Sequence, residues 1–151
     1  MGKVTEKITL TSLLDKTKSR EVEAVIDTGA TLLVLPQDLV EELGLTRIRD
    51  VRVRYANNSV EAKVVYGAVT LELKGRRGIF EALAEVPGSE PLVGQVVLES
   101  LDLVVDPCSR TLTPNPLSPE TPMVEILPLA RLTVDERAAG PSRGMSLAAR
   151  A

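Results

Sequence analysis

The stretch Val25-Ile26-Asp27-Thr28-Gly29-Ala30 decides how this chain is to be read. Two branched apolar residues lead into a carboxylate, a hydroxyl residue and the two smallest residues. Val and Ile suit a buried strand, and Asp and Gly suit a tight turn directly after it. The order delivers one acid to the floor of a cleft, where a turning backbone and a neighbouring hydroxyl can surround it. An isolated Asp-Thr-Gly is most often a plain turn, so the flanking chain has to carry the rest.

Working outward, residues 22–26 read as a strand entering the core, and residues 32–35 (Leu-Leu-Val-Leu) as a fully buried one. Upstream, residues 3–11 alternate around Ile8 and Leu10, and 15–19 form a polar turn. Downstream, Pro36 opens a short helix and Gly44 closes it. Leu39, Val40 and Leu43 share one face of that helix, with Asp38 and Glu41 towards its positive end. A hairpin follows. Val51, Val53 and Tyr55 alternate with Arg52 and Arg54, and Val60, Ala62 and Val64 with Glu61 and Lys63. Asn57-Asn58 is its expected two-residue pivot, because Asn tolerates left-handed angles. That register sets Tyr55 opposite Val60, Arg54 opposite Glu61 and, less favourably, Arg52 opposite Lys63.

Further strands are expected at 68–73 and 79–86, separated by a charged turn at 74–78. A loop at 87–90 leads into a strand ending at Leu92-Val93-Gly94, then a short helix at 95–101. Strands at 103–105 and 110–113 flank the turn 106–109. Many short strands with regular turns and one or two short helices define an all-β, barrel-like domain. We assign it to residues 1–117. Prolines at 114, 116, 119, 122 and 128 mark a change of texture. Residues 118–151 read as a Pro-rich, partly disordered C-terminal tail, in which 123–134 is apolar enough to dock.

Composition narrows the chemistry. Aromatic residues make up 2% of the chain and Trp is absent, so the core must be aliphatic. Net charge is -3 with acids and bases mixed, which gives no basic block for nucleic acid. Histidine is absent and Cys108 is the lone cysteine. Ser-His and Cys-His nucleophile pairs, histidine-ligated zinc and thiolate clusters are therefore ruled out. No phosphate-binding Gly-rich loop occurs, and we expect no metal or cofactor. One cysteine fits a reducing cytoplasm. No signal peptide or membrane span is expected from the N-terminal residues.

The segment 25–30 resembles the active-site motif of the aspartic proteases, and Ala30 with a single copy of the motif resembles their retropepsin branch. The likeness runs from about residue 4 to residue 113. It implies a closed β-barrel of the acid-protease type, with Asp27 catalytic and Thr28, Gly29 and Ala30 completing the active-site loop. It implies that the hairpin tip, Tyr55, Ala56, Asn57, Asn58 and Ser59, is a substrate-covering flap. Leu92, Val93 and Gly94 correspond to the segment that packs beneath the active-site loop. The nearest likeness is to bacterial and cellular single-domain members. Two features depart from the family pattern. The flap tip lacks the glycines of the viral enzymes, and Gln95-Val96 stands where a polar pair such as Arg-Asp is usual.

Peptide hydrolysis without a metal or a protein nucleophile needs a base for water and an acid for the leaving group. Two carboxylates sharing one proton supply both, because like charges about 3 Å apart cannot both ionise. The motif occurs once, so the second carboxylate must come from another chain. A two-fold homodimer sets Asp27 against its own copy. The resemblance gives Thr28 a bracing role across that axis. The expected function is an aspartic endopeptidase acting on peptide or protein substrates. The alternative is an inactive peptide-binding or dimerisation module on the same fold.

Overall fold

The structure is a computed structural model and describes residues 3–126. Eleven elements follow one another: β1 (Thr5–Ser12), β2 (Ser19–Ile26), β3 (Leu33–Pro36), α1 (Gln37–Glu42), β4 (Thr46–Arg54), β5 (Val60–Leu73), β6 (Arg76–Glu85), β7 (Leu92–Val93), α2 (Gln95–Leu101), β8 (Leu103–Asp106) and β9 (Thr111–Pro114). The protein is mostly β, as expected. Strand pairing runs β1-β2-β7-β3-β6-β5-β4, and β5 also returns to β1, with Leu10 opposite Leu71. β8 and β9 form a separate antiparallel pair.

Local sequence explains these elements. β1 buries Ile8, Leu10 and Ser12 at alternate positions, the period of a strand with one face in the core. β3 lies between β7 and β6 and has all four residues buried, which is why its sequence is continuously apolar. α1 packs Leu39 and Val40 inward, with Pro36 in extended conformation at its N-cap. The chain leaves it through Gly44 at φ +65°, a conformation that favours glycine. The main core is aliphatic, from Ile8 and Leu10 through Leu35 and Leu71 to Leu112, with Phe80 as its one phenyl ring.

Three details depart from the sequence reading. The hairpin pairs Arg54 with Val60 and Arg52 with Ala62, one residue off the expected register. Its tip is a longer turn. The Tyr55 N–H donates to Ser59 O at 2.9 Å and the Asn58 N–H to Tyr55 O at 2.8 Å. Only Asn58 takes a positive φ, 69°, because Asn57 instead spends its side chain accepting from the Ser59 N–H and hydroxyl. The shift also parts Arg52 from Lys63. Second, the hairpin's return strand does not stop near residue 64. It continues to Leu73 through a register irregularity between Tyr66 and Val69, where a Cβ on Gly67 would meet Ile48 at 2.5 Å. Third, the turn expected at 74–78 is only Lys74-Gly75, both at positive φ, with Leu73 facing Arg76. Arg76 is therefore no charged turn residue. It is 7% exposed and donates to the carbonyls of Leu101, Asp102 and Ser118.

Beyond β9 the chain remains fastened. Asp102 accepts from the Asn115 amide at 3.0 Å, from the Ser118 hydroxyl and from the Met123 N–H at 3.0 Å. The expectation for the rest of the tail lies outside the described residues.

Candidate active site

β2 ends at Ile26, which is buried, and hands Asp27 to a loop that runs to Leu32. The Asp27 N–H donates to Val93 O at 2.9 Å, so the acid's backbone is fixed by β7. Val25 and Ile26 pair in parallel with Leu92 and Val93 on the same strand. The Ala30 N–H closes the turn on Asp27 O at 3.1 Å. The Asp27 carboxylate is half-buried and accepts the Gly29 N–H at 2.9 Å. Gly29 leaves that carboxylate room. A Cβ there would stand 3.3 Å from that carboxylate oxygen. Thr28 and Gly29 are exposed beside it and Ala30 is half-buried.

The loop rests on the segment around Gly94. The Gln95 N–H donates to Ala30 O at 2.8 Å and the Val96 N–H to Thr31 O at 2.9 Å. These are the first amides of α2, so the loop's carbonyls take the place of absent helical acceptors. Leu92, Val93 and Gly94 thus lie directly against residues 25–32. The Gln95 side chain turns to Glu99 instead, at 3.2 Å.

Tyr55, Ala56, Asn57, Asn58 and Ser59 form the tip of the β4–β5 arm. Tyr55 does not stand opposite Val60, which pairs with Arg54. Its hydroxyl donates to Glu85 at the end of β6, at 2.6 Å. Lys63, on the returning strand, reaches the same carboxylate at 2.9 Å and Glu61 at 3.4 Å. Burial pushes the Glu85 carboxyl up, but the hydrogen bonds from Tyr55 and Lys63 and the Lys63 charge outweigh it. Its pKa lies below the usual glutamate value. Burial and then the Glu85 hydrogen bond raise the Tyr55 phenol, and the Glu85 hydrogen bond leads in raising the Lys63 ammonium.

The sequence reading missed two groups here. One is Glu85 itself, which lies within the strand expected at 79–86. The other is a small apolar cluster of Val34, Val65 and Leu83 joined by Leu32, Val51, Val53 and Leu92. It links the exit of the Asp27 loop to the inner face of the arm. The alternation of Val51 and Val53 announced a buried face, but not what that face would meet.

Two hollows of the single chain lie away from Asp27, one lined by Thr9, Thr11, Thr70 and Arg77, the other by Val96, Asp102, Leu117 and Met123. Among the described residues no cluster of His, Cys, Asp or Glu has the makings of a metal site. Among the same residues no helix is long and apolar enough to cross a membrane.

Residues 16–84 match the family described as aspartyl protease. That match places the segment in a retropepsin-like aspartyl protease family and bears out the resemblance read from residues 25–30. It spans Asp27, α1 and the whole β4–β5 arm, and stops before β7. It points to peptidase activity in general and to peptides as the class of substrate. No curated protein matches the chain.

Proposed function

We propose that the protein is an aspartic endopeptidase whose catalytic unit is a homodimer, with one Asp27 from each chain forming the dyad. One observation carries this reading. The Asp27 carboxylate is offered at the surface on a loop braced from below, with Thr28 and Gly29 exposed around it. A solitary acid there can take or give a proton, but it cannot do both at once. The cycle of pairings through β1, β2, β7, β3, β6 and β5 supports reading the fold as a closed retropepsin-like barrel. The domain is residues 1–117, the tail 118–151, and the setting cytoplasmic.

In the proposed reaction an ionised Asp27 takes a proton from water as the water oxygen attacks the scissile carbonyl. The protonated Asp27 of the other copy gives its proton to the carbonyl oxygen, which leaves a neutral gem-diol. The Asp27 that gave up its proton then takes one from a diol hydroxyl, while the Asp27 that holds the water's proton gives it to the amide nitrogen. The C–N bond breaks, and an acid and an amine depart. The pair titrates as one unit. The β4–β5 arm covers the substrate and excludes water. Leu92, Val93 and Gly94 hold the loop in place.

Two measurements on the full chain test this. Peptide-library turnover is compared for the wild type and Asp27→Asn, and sedimentation is followed with and without a substrate-like peptide. The expected result is turnover that falls by about 10²–10⁴-fold in the variant, the usual worth of a general acid–base group, in a protein that sediments as a dimer. Equal turnover in both forms, or a strictly monomeric active species, overturns the proposal. Peptide binding without cleavage by the wild type also overturns it, in favour of a peptide-binding module.

A further inference from the structure

We propose that Glu85 is a positioning residue that latches the β4–β5 arm in place, and that adding a proton to Glu85 releases the arm. This deepens the reading above, because it rests on the arm being the cover of the Asp27 cleft.

The arm needs an anchor. β5 pairs with β6 from Val65 onward and with β1 over Val69 to Glu72. Ahead of Val65 it pairs with β4 alone. Residues 51–64 are thus a two-stranded ribbon without a third strand, and such ribbons are marginal on their own in water. Val51 and Val53 give the ribbon one apolar hold, on Val34, Val65 and Leu83. Glu85 gives it the other.

One carboxylate holds both legs. Tyr55 stands at the end of the outgoing strand, its backbone locked into the tip, and its hydroxyl donates to one Glu85 oxygen at 2.6 Å. Lys63 comes from the returning strand and meets the other oxygen at 2.9 Å. The Lys63 and Glu85 side chains are 14% and 20% exposed, so solvent screens the pair far less than a surface pair. Tyr55, Glu61 and Lys63 are the titratable groups that the arm turns towards Glu85. Glu61, more exposed, also touches Lys63 and would compete for it once Glu85 is neutral.

The sign of the pH effect follows. The Glu85 pKa is held below its ordinary value in the folded protein. Its contribution is therefore complete above the unfolded-state value and is lost as pH falls through the lower, folded one. The arm is fastened near neutrality and loosens in acid.

Amide hydrogen exchange on the full chain tests the latch without needing turnover. The N–H groups of Tyr55 and Asn58, both bonded within the tip, report the arm, and those of β1 and β3 report the core. After correction for intrinsic rates, arm protection in the wild type should fall about tenfold or more between about pH 6 and pH 3, while core protection holds. In Glu85→Gln, arm protection should already be lower by a similar factor at about pH 6 and should not change with pH. If that variant also loses core protection, Tyr55→Phe replaces it and should loosen the arm at neutral pH. Equal arm protection in the wild type and the variant over the whole range overturns the latch. An inactive wild type with a pH-dependent arm would sink the protease reading and leave the latch standing.

Discussion

A Cβ on Gly94 would lie 2.4 Å from the carbonyl oxygen of Leu32. The same atom would meet Ala30 O at 2.8 Å, so it has backbone on two sides and no flexible side chain to push away. Gly94→Ala must therefore lift the Asp27 loop off its support. We expect a loss of about 3 kcal/mol in urea unfolding, the upper end for an overpacked site. Peptidase activity should fall further than the unfolded fraction explains, because Ala30 and Thr31 lose their amide partners.

Ala30 cannot donate a side-chain hydrogen bond, although its backbone is fixed at both ends, to Asp27 O and from the Gln95 N–H. Ala30→Ser should add a donor for the proposed dyad and favour its charged form. The acidic limb of the pH–rate profile then moves to lower pH. An unchanged or raised limb would count against the dyad.

Arg76 spends its guanidinium on three carbonyls, those of Leu101 and Asp102 at 2.9 Å each and of Ser118 at 2.5 Å. Arg76→Leu leaves these acceptors unpaired where two of the three contacts are buried. The expected cost is about 3 kcal/mol in urea unfolding. Arg76→Lys should recover only part of it, because an ammonium lacks the planar fork that spans separate acceptors.

Asp102 has its pKa lowered first by the Ser118 hydroxyl, then by the Asn115 amide and the Met123 N–H. Its hold on residues 115–123 is therefore present above the ordinary aspartate range and lost as pH drops below it. Limited proteolysis with an acid-tolerant protease should begin to cut between Asn115 and Met123 only below about pH 4. Asp102→Asn should expose the same cuts at neutral pH. Asp102 sits at φ 57°, which Asn tolerates, so the substitution removes charge without straining the backbone.

The parts of the site legible in the sequence were those decided locally. The Val-Ile-Asp-Thr-Gly-Ala order fixes a strand and a turn within six residues, and Leu92-Val93-Gly94 betrays itself as a small-residue stop after an apolar pair. The continuous Leu33 to Leu35 run signalled a strand covered on both faces. What stayed hidden was decided at a distance. The arm's register depends on how Asn57 and Ser59 share hydrogen bonds, a choice that Asn-Asn alone leaves open. The role of Arg76 depends on carbonyls at 101, 102 and 118, and that of Glu85 on a phenol thirty residues earlier. A charged residue near a turn reads as solvated until its acceptors are known.

The chain has no Trp, and its two Tyr residues, Tyr55 and Tyr66, both belong to the arm and its return strand. Intrinsic ultraviolet emission therefore comes from this corner of the molecule and from almost nowhere else. The Tyr55 hydroxyl donates a hydrogen bond to a carboxylate, an arrangement that dims emission, and it would brighten once that bond opens. The protein thus carries its own optical gauge of whether Tyr55 is bonded to Glu85, and a stopped-flow acid jump can read it without a dye.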